Sequence, residues 1–214
     1  MSVETYTTAA TVDEVLAALA EGAKPVAGGT DLVVGARQGK KPLPSSIVAI
    51  HRVDELRGIE EGNDVVRLGA LVTHAEIVAH PSIRSRLTGL ADASAIVGSH
   101  ATRANGSIGG NVMNASPAMD TGAPLICLGA TATLQGPGGS RQVSVESLFT
   151  GPGRTVANAN ELLTSVDIPA PAAGTGSSYV RLEYRRQMEI AIVGAGAAVT
   201  IEGGKITSAK VAIT

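Results

Sequence analysis

Glycine is the feature that most constrains the fold of this chain: it supplies 26 of the 214 residues, whereas tyrosine and phenylalanine supply three and one and tryptophan none. A core with so few rings has to be filled by aliphatic side chains and alanine, and abundant glycine indicates positive φ angles or close contacts between backbones. Because the glycines are spread among periodic apolar segments, and 44% of the residues are hydrophobic, the sequence predicts a packed core and not a low-complexity chain.

Charge and cysteine content exclude several classes of site. The formal net charge is −2, and no stretch is basic enough to indicate nucleic-acid binding. Cys127 is the only cysteine, so the chain alone can form no intramolecular disulfide, iron–sulfur cluster or structural zinc site. The longest apolar runs, Ala123–Leu134 and Ile190–Ile201, are shorter than the roughly 18 residues of a membrane-spanning helix. With no signal peptide visible at the N-terminus, we expect a cytoplasmic protein whose electron chemistry, if any, requires a non-covalent cofactor.

Two helix starts and a Pro/Gly-rich boundary organise the chain. Thr11-Val12-Asp13-Glu14 and Thr73-His74-Ala75-Glu76 have the pattern of a capping box, and each predicts the start of a helix. Pro169–Ser178 is rich in Pro, Ala, Gly and Ser, which is typical of a domain boundary. The predicted units are an α/β segment, a second α+β segment and the strands of a further domain, at residues 1–58, 59–170 and 177–214.

The C-terminal segment predicts three strands, with a tight turn at Glu202-Gly203-Gly204-Lys205. Gly194-Ala195-Gly196 is similar to the start of a dinucleotide-binding fingerprint, but Val199 stands where the third glycine belongs and a strand follows instead of a helix. We therefore interpret these glycines as sites of close packing in a buried strand. No helix follows the third strand, so we expect one bare face on this sheet.

Familiar catalytic motifs do not occur in the sequence. It contains no G-x-S-x-G nucleophile turn, no G-x-x-x-x-G-K-[ST] phosphate loop and no H-E-x-x-H zinc motif. A hydrolase, a P-loop nucleotidase and a zinc protease are therefore not indicated.

Two small-residue segments have the composition of a ligand site. Ala27–Asp31 lies between a predicted strand and a helix start, where bare amides and the positive end of a helix can bind a pyrophosphate. The alternative, favoured by this segment alone, is a tight turn with Asp31 as the helix N-cap. Ser107–Asp120 combines two glycines, two amides and a carboxylate, and predicts a loop whose backbone can lie against a flat ring. Its alternative is an Ω-loop packed on itself.

Together the two segments resemble the FAD-binding subunit of the molybdenum hydroxylases, the family of xanthine dehydrogenase and carbon monoxide dehydrogenase medium subunits. That family carries A-G-G-[TH]-[DS]-L and then [TS]-I-G-G-N-x-x-x-x-S-P-x-x-D, which stand here as Ala27–Leu32 and Ser107–Asp120. The resemblance covers nearly the whole chain and continues through four further segments, Leu68–Thr73, Phe149–Arg154, Glu161–Leu163 and Tyr184–Arg186.

The resemblance implies an α+β fold, in which a two-subdomain FAD-binding fold of the vanillyl-alcohol-oxidase (PCMH) type precedes a C-terminal domain represented by a partial antiparallel sheet. It also implies that backbone amides of Ala27–Asp31 hold the FAD pyrophosphate, that Ser107–Asn111 approach the pyrophosphate and isoalloxazine, and that Asp120 bonds ribityl or ribose hydroxyls. The implied cofactor-binding residues are Ala27, Gly28, Gly29, Thr30, Asp31, Leu32, Thr73, Ser107, Ile108, Gly109, Gly110, Asn111, Ser116, Asp120, Leu163, Tyr184 and Arg185. Thr73 and Leu163 would line the flavin pocket, and Tyr184 and Arg185 would lie near the ring.

The function implied by the resemblance is that of an oxidoreductase subunit with no catalytic residue or metal of its own. Electrons would pass from a molybdenum-cofactor large subunit through a 2Fe-2S small subunit to FAD, and from FAD to NAD, oxygen or a quinone. The alternatives are a non-catalytic interaction or assembly module on the same fold, and a free-standing FAD oxidoreductase. Two departures from the family are Glu189, where the family usually has Asp, and a C-terminal domain that in the family continues beyond Thr214.

Overall fold

A parallel sheet forms the N-terminal unit of the computed structural model, which describes residues 3–39, 41–185 and 188–214. Its strands lie in the order β1-β3-β2, as expected where strands and helices alternate. The elements are β1 (Thr5–Thr8), α1 (Val12–Ala20), β2 (Lys24–Val26), α2 (Thr30–Arg37) and β3 (Ser46–Ala49). Helix α1 begins as predicted: Thr11 Oγ1 accepts from the Glu14 amide at 3.2 Å, while the Glu14 carboxylate accepts from the amide of Ala10.

An antiparallel sheet of five strands, in the order β4-β5-β10-β6-β7, organises the central unit. After a 3-10 turn at Asp54–Leu56, its strands are β4 (Ile59–Glu61), β5 (Val65–Gly69), β6 (Thr131–Gly136), β7 (Gly139–Ser144) and β10 (Leu162–Pro169). A hairpin of β8 (Phe149–Gly151) and β9 (Arg154–Thr155) lies beside it. The helices are α3 (His74–Ala79), α4 (Pro81–Arg86), α5 (Thr88–Ala95), α6 (His100–Asn105), α7 (Ile108–Asn114), α8 (Gly122–Cys127) and α9 (Val145–Leu148).

The main core lies between this sheet and its helices. Strand side chains alternate between the two faces, so that Leu68, Leu134 and Val166 point into the core, where Ile77 and Ile108 of the helices meet them. All five are at most 1% exposed. Aliphatic side chains thus fill the core, as the scarcity of rings predicts.

The C-terminal sheet consists of β11 (Thr175–Leu182), β12 (Val193–Glu202) and β13 (Lys205–Ile213), antiparallel and in that order. Its β12–β13 turn is the predicted one, with Gly203 and Gly204 at φ 56° and 77°. Strand β11 begins at Thr175, inside the Pro169–Ser178 segment, so the second half of that segment is strand. The reason is that Thr175 pairs with Thr200 of β12.

One face of the C-terminal sheet is covered and the other is bare, as expected. Helices α5 and α8 of the central unit pack on the covered face, where a Cβ on Gly196 would lie 2.8 Å from the Ala123 carbonyl carbon. The glycines of β12 therefore permit close packing. The opposite face exposes Val180, Val211 and Ile213, each about two-thirds or more accessible. Parallel and antiparallel sheets with segregated helices confirm the predicted α+β class.

Candidate cofactor site

The turn between β2 and α2 directs backbone amides away from the helix. Gly29 is the N-cap of α2 at φ 67°, and having no side chain it makes no cap hydrogen bond. The first amides of a helix have no acceptor within it, so those of Thr30, Asp31 and Leu32 lie at the positive end of α2 without an intrahelical partner. The alternative with Asp31 as N-cap is wrong, because Asp31 lies in the first turn and is exposed.

Residues 108–114 of the second segment form helix α7, so the expectation of a loop is wrong there. Ser107 caps the helix, its Oγ accepting from the Gly110 amide at 3.1 Å. The amides of Ile108 and Gly109 donate to the carbonyls of Val72 and Ala70 at 2.8 and 3.0 Å. The first amides of α7 thereby all have acceptors within the protein, whereas those of α2 lack intrahelical partners.

The two adjacent glycines of α7 have different surroundings. A Cβ on Gly109 would lie 2.6 Å from the carbonyl oxygen of Ala70, so Gly109 allows α7 to approach the end of β5. A Cβ on Gly110 would meet only Ser107 Oγ, at 3.2 Å. Gly110 is therefore the less confined of the pair: it is exposed, and a side chain there would press on the Ser107 cap and not on a neighbouring backbone.

The segments that the sequence separates meet at the junction between α6 and α7. A Cβ on Gly28 would lie 1.9 Å from the carbonyl oxygen of Asn105, so the β2–α2 turn touches this junction backbone to backbone. The Gly106 carbonyl accepts from the His74 amide at 3.1 Å, and Thr73 forms a β-bridge with Ser107. The fold thus brings together the predicted residues Ala27, Gly28, Gly29, Thr30, Asp31, Leu32, Thr73, Ser107, Ile108, Gly109, Gly110 and Asn111.

The capping box predicted at Thr73 is complete and holds this junction. Thr73 Oγ1 accepts from the Glu76 amide at 3.2 Å, and the Glu76 carboxylate accepts from the Thr73 amide at 2.7 Å. His74, 1% exposed, lies beneath the junction. Burial, with a smaller effect of the Arg103 charge, lowers the pKa of His74 to about 4, so that its ring is neutral at pH 7.

Asp120 lies in a buried polar cluster after α7. Its Oδ1 accepts from the Tyr179 hydroxyl at 2.9 Å, and its Oδ2 accepts from Arg181 Nη1 at 3.2 Å. Burial raises the pKa of the Asp120 carboxyl, whereas the bond from Tyr179 and the charge of Arg181 oppose the rise. The next residue, Thr121, donates to Asn111 Oδ1 at 2.5 Å, so the carboxylate and the α7 amide belong to one connected group.

The remaining predicted residues lie elsewhere. Leu163 is buried in the main core, and Ser116 accepts from the Ala118 amide at 3.3 Å within its own loop. Tyr184 is 88% exposed, and Arg185 donates to the Met188 carbonyl and pairs with Glu189 at 3.3 Å. Arg186, which belonged to the same sequence motif, lies outside the described residues. The roles of these residues toward the cofactor stay predictions.

The residues that sequence reasoning missed are Tyr179, Arg181 and Thr121. A signal for the first two was present: an arginine and a tyrosine two apart in a strand share one face, and a buried arginine requires an acidic partner. That the partner is Asp120, 61 residues away, is visible only in the structure.

A cleft of about 550 Å³ lies apart from this site. It lies on the polar face of the five-stranded sheet, and none of the predicted cofactor residues lines it. Its Arg67 and Arg141 are paired with Asp167 and Glu161, each at 2.7 Å. Within residues 3–39, 41–185 and 188–214, no cluster of three or more acidic, histidine or cysteine side chains could hold a metal ion, and no helix is long and apolar enough to cross a membrane.

Comparison with known families identifies the same region. The family model described as "FAD binding domain in molybdopterin dehydrogenase" matches residues 1–171. Among curated proteins, the carbon monoxide dehydrogenase medium chain of Afipia carboxidovorans is 34% identical over 200 residues, which are 93% of this chain and 68% of that one. The nicotinate dehydrogenase FAD-subunit of Eubacterium barkeri is 34% identical over 180 residues, 83% of this chain and 60% of the relative.

Solved structures agree in fold. A carbon monoxide dehydrogenase from Hydrogenophaga pseudoflava, which lacks the Mo-pyranopterin moiety of the molybdenum cofactor, superposes with a TM-score of 0.94 at 30% identity, covering 100% of this chain and 75% of that chain. This chain thus spans about two-thirds of the length of these curated relatives and three-quarters of the solved one.

Proposed function

This chain belongs to the family of FAD-binding domains of molybdopterin dehydrogenases, and from that membership we propose that it is the electron-transfer flavoprotein component of a molybdenum hydroxylase. FAD is its cofactor and it is an oxidoreductase subunit, as the resemblance implied. The proposal extends to the route of the electrons, which enter from a 2Fe-2S subunit and leave to an external acceptor such as NAD, oxygen or a quinone. Its partners are then that small subunit and a molybdenum-cofactor large subunit.

The observation that carries the proposal is the contact between the β2–α2 turn and the α6–α7 junction. Gly28 and Asn105 touch through their backbones, which fixes the uncapped start of α2 beside Thr73 and Ser107. Such a cradle fits FAD, because amides without an intrahelical partner at a helix start can bind a pyrophosphate, and the exposed Gly110 presents no side chain to a flat group.

The chain's own residues are suited to holding and orienting the cofactor. When bound, FAD supplies the exchange between electron-pair and single-electron transfer. The amides of Thr30 to Leu32 would bind the pyrophosphate, and the Asp120 carboxylate would accept from a ribityl or ribose hydroxyl. His74 is neutral and buried beneath the α6–α7 junction, so it would support that junction by packing and would not transfer a proton. A cytoplasmic location stays a prediction.

The experiment is a visible absorption spectrum of the purified chain, followed by titration of the flavin-free chain with FAD and with riboflavin. We expect one FAD per chain and much weaker binding of riboflavin, which lacks the pyrophosphate. The variant Gly110→Ala should weaken FAD binding by placing a methyl group on the exposed surface of α7, 3.2 Å from the Ser107 hydroxyl, whereas Gly138→Ala, with no neighbour within 4 Å, is the control.

The electron route needs a second experiment. The chain would be combined with its molybdenum and iron–sulfur subunits, and flavin bleaching would be followed after addition of the holoenzyme's substrate. Reduction only in the assembled complex supports the relay. Reduction of the isolated flavoprotein by a small electron donor would favour a free-standing oxidoreductase. A folded chain that does not bind FAD would favour an interaction module.

A further inference from the structure

A buried polar cluster connects the C-terminal sheet to the cofactor segment. It contains Tyr179 and Arg181 of β11 and Asp120 of the loop before α8. The Arg181 side chain is 2% exposed and that of Asp120 is 11% exposed. Arg181 also donates to the Ile96 carbonyl at 3.3 Å and pairs with Glu183, so its guanidinium is fixed from several directions.

The two oxygens of Asp120 are used unequally. Oδ1 accepts from both the Tyr179 hydroxyl, at 2.9 Å, and Arg181 Nη1, at 3.3 Å. Oδ2 accepts from Arg181 Nη1 at 3.2 Å. A carboxylate oxygen can accept about two hydrogen bonds, so Oδ2, which accepts one from the described residues, has acceptor capacity left.

The glycine of β12 opposite Arg181 makes room for this cluster. A Cβ on Gly194 would lie 2.1 Å from the Tyr179 hydroxyl oxygen, so any other residue there would push the hydroxyl off Asp120. Asp120 is linked onward, because its neighbour Thr121 donates to Asn111 of α7. The hydrogen bonds to Asp120, its peptide link to Thr121 and the bond from Thr121 to Asn111 therefore connect the C-terminal sheet to the G-G-N motif.

We propose that Tyr179 and Arg181 are positioning residues of the FAD site: they hold the Asp120 carboxylate charged and oriented, with Oδ2 directed to a cofactor hydroxyl. FAD affinity then depends on the C-terminal sheet, which lies outside the region that matches the family model. This inference rests on the proposed function, specifically on the contact of Asp120 with FAD.

A merely structural role predicts something different. If the cluster only joined two units, breaking it would reduce stability and leave the affinity of the folded fraction for FAD unchanged. If it positions Asp120, loss of the Arg181 charge leaves a buried carboxyl that faces, among the described titratable groups, Tyr179 and the acidic Glu183, which favours its protonated form. FAD affinity of such a variant would then recover as the pH is raised, a dependence that the wild-type chain lacks.

The test is FAD titration of flavin-free protein, between pH 6 and 9, for the wild type, Tyr179→Phe, Arg181→Gln and Arg181→Lys. The control is Arg67→Gln, which breaks the ion pair of the half-exposed Arg67 with the buried carboxylate of Asp167, at 2.7 Å on the polar face of the five-stranded sheet. Thermal unfolding of each variant is measured in parallel.

We expect Arg181→Gln to raise the dissociation constant for FAD by about tenfold or more at pH 7, with partial recovery in Arg181→Lys, since a hydrogen bond to a charged group is involved. Tyr179→Phe keeps the packed ring and should raise it by about three- to tenfold. Arg67→Gln should lower the melting temperature with affinity unchanged.

Wild-type affinity in folded Tyr179→Phe overturns the positioning role, even if Arg181→Gln fails to fold. Equal weakening by Arg67→Gln and Arg181→Gln also overturns it, because the effect would then be one of general stability. A folded wild-type chain that binds no FAD overturns the proposed function itself, and the positioning role with it.

Discussion

Replacing Gly28 by alanine tests whether the cofactor site is built by contact between two backbones. The added Cβ would lie 1.9 Å from the Asn105 carbonyl oxygen, and real Cβ atoms essentially never approach closer than 3.0 Å. The β2–α2 turn and the α6–α7 junction must therefore separate by about 1 Å, a displacement that neither backbone can absorb by a side-chain rotation. Because the φ angle of Gly28 is not in the left-handed region, the effect is purely steric.

The expected cost follows from this geometry. Overpacking by one carbon costs about 1–3 kcal/mol, and here the strain is relieved by opening the cradle in which FAD is to lie. We expect the affinity for FAD to fall by at least about tenfold, equivalent to roughly 1.4 kcal/mol, with a smaller loss of stability in the flavin-free chain. The assay is quenching of FAD fluorescence on titration, together with urea unfolding with and without FAD.

Gly138→Ala is the matched control for Gly28→Ala, since its Cβ would meet nothing within 4 Å and its φ is not in the left-handed region either. It should leave both FAD affinity and unfolding unchanged. The reasoning is refuted if Gly28→Ala binds FAD as tightly as the wild type, because the two segments would then tolerate separation without loss of the site.

Two further predictions concern stability. The pKa of His74 in the folded chain is about 4, below the ordinary 6.5 of the unfolded chain. The stability that the neutral ring contributes is therefore fully present above pH 6.5 and is lost as the pH falls toward 4, by up to about 3 kcal/mol. Urea midpoints measured across this range should fall less steeply in His74→Gln than in the wild type, and parallel curves would contradict the assignment. Thr11→Ala removes the N-cap of α1 and should lower the free energy of unfolding by about 1 kcal/mol, measured by urea unfolding. Thr11→Ser keeps the capping hydroxyl and should retain most of that stability. An unchanged urea midpoint in Thr11→Ala would show that the cap contributes nothing.

Local signals in the sequence predicted local structure well. The capping patterns at Thr11 and Thr73 and the turn at Gly203-Gly204 each depend on groups within four residues of one another, so the sequence contains the whole interaction. The start of α7 is also local, and the prediction of a loop failed because Gly109 and Gly110 disfavour helix in isolation. There the Ser107 cap and the carbonyls of Ala70 and Val72, in the turn after β5, outweigh the low helix propensity of glycine.

The assembly of the site could not be predicted from spacing alone. The resemblance identified Ala27–Leu32 and Ser107–Asp120 as one site, but it gave no reason for them to meet, since nothing local joins Gly28 to Asn105. Likewise the order of the central sheet, with β10 between β5 and β6, depends on burying side chains that lie far apart in sequence. Interactions of this kind are decided by the packing of the whole core.

Part of the unusual glycine content is explained by the same contacts. Gly28, Gly109 and Gly196 each stand where a Cβ would lie under 3 Å from the backbone of another segment, and Gly194 stands where it would displace the Tyr179 hydroxyl. These four positions join the N-terminal unit, the central helices and the C-terminal sheet around the predicted cofactor residues. Backbones that approach this closely leave little volume for large rings between them, so abundant glycine and scarce aromatic residues are two consequences of one packing arrangement. Substituting these glycines should therefore disturb the contacts between the segments of the site more than the packing of the aliphatic core of the five-stranded sheet.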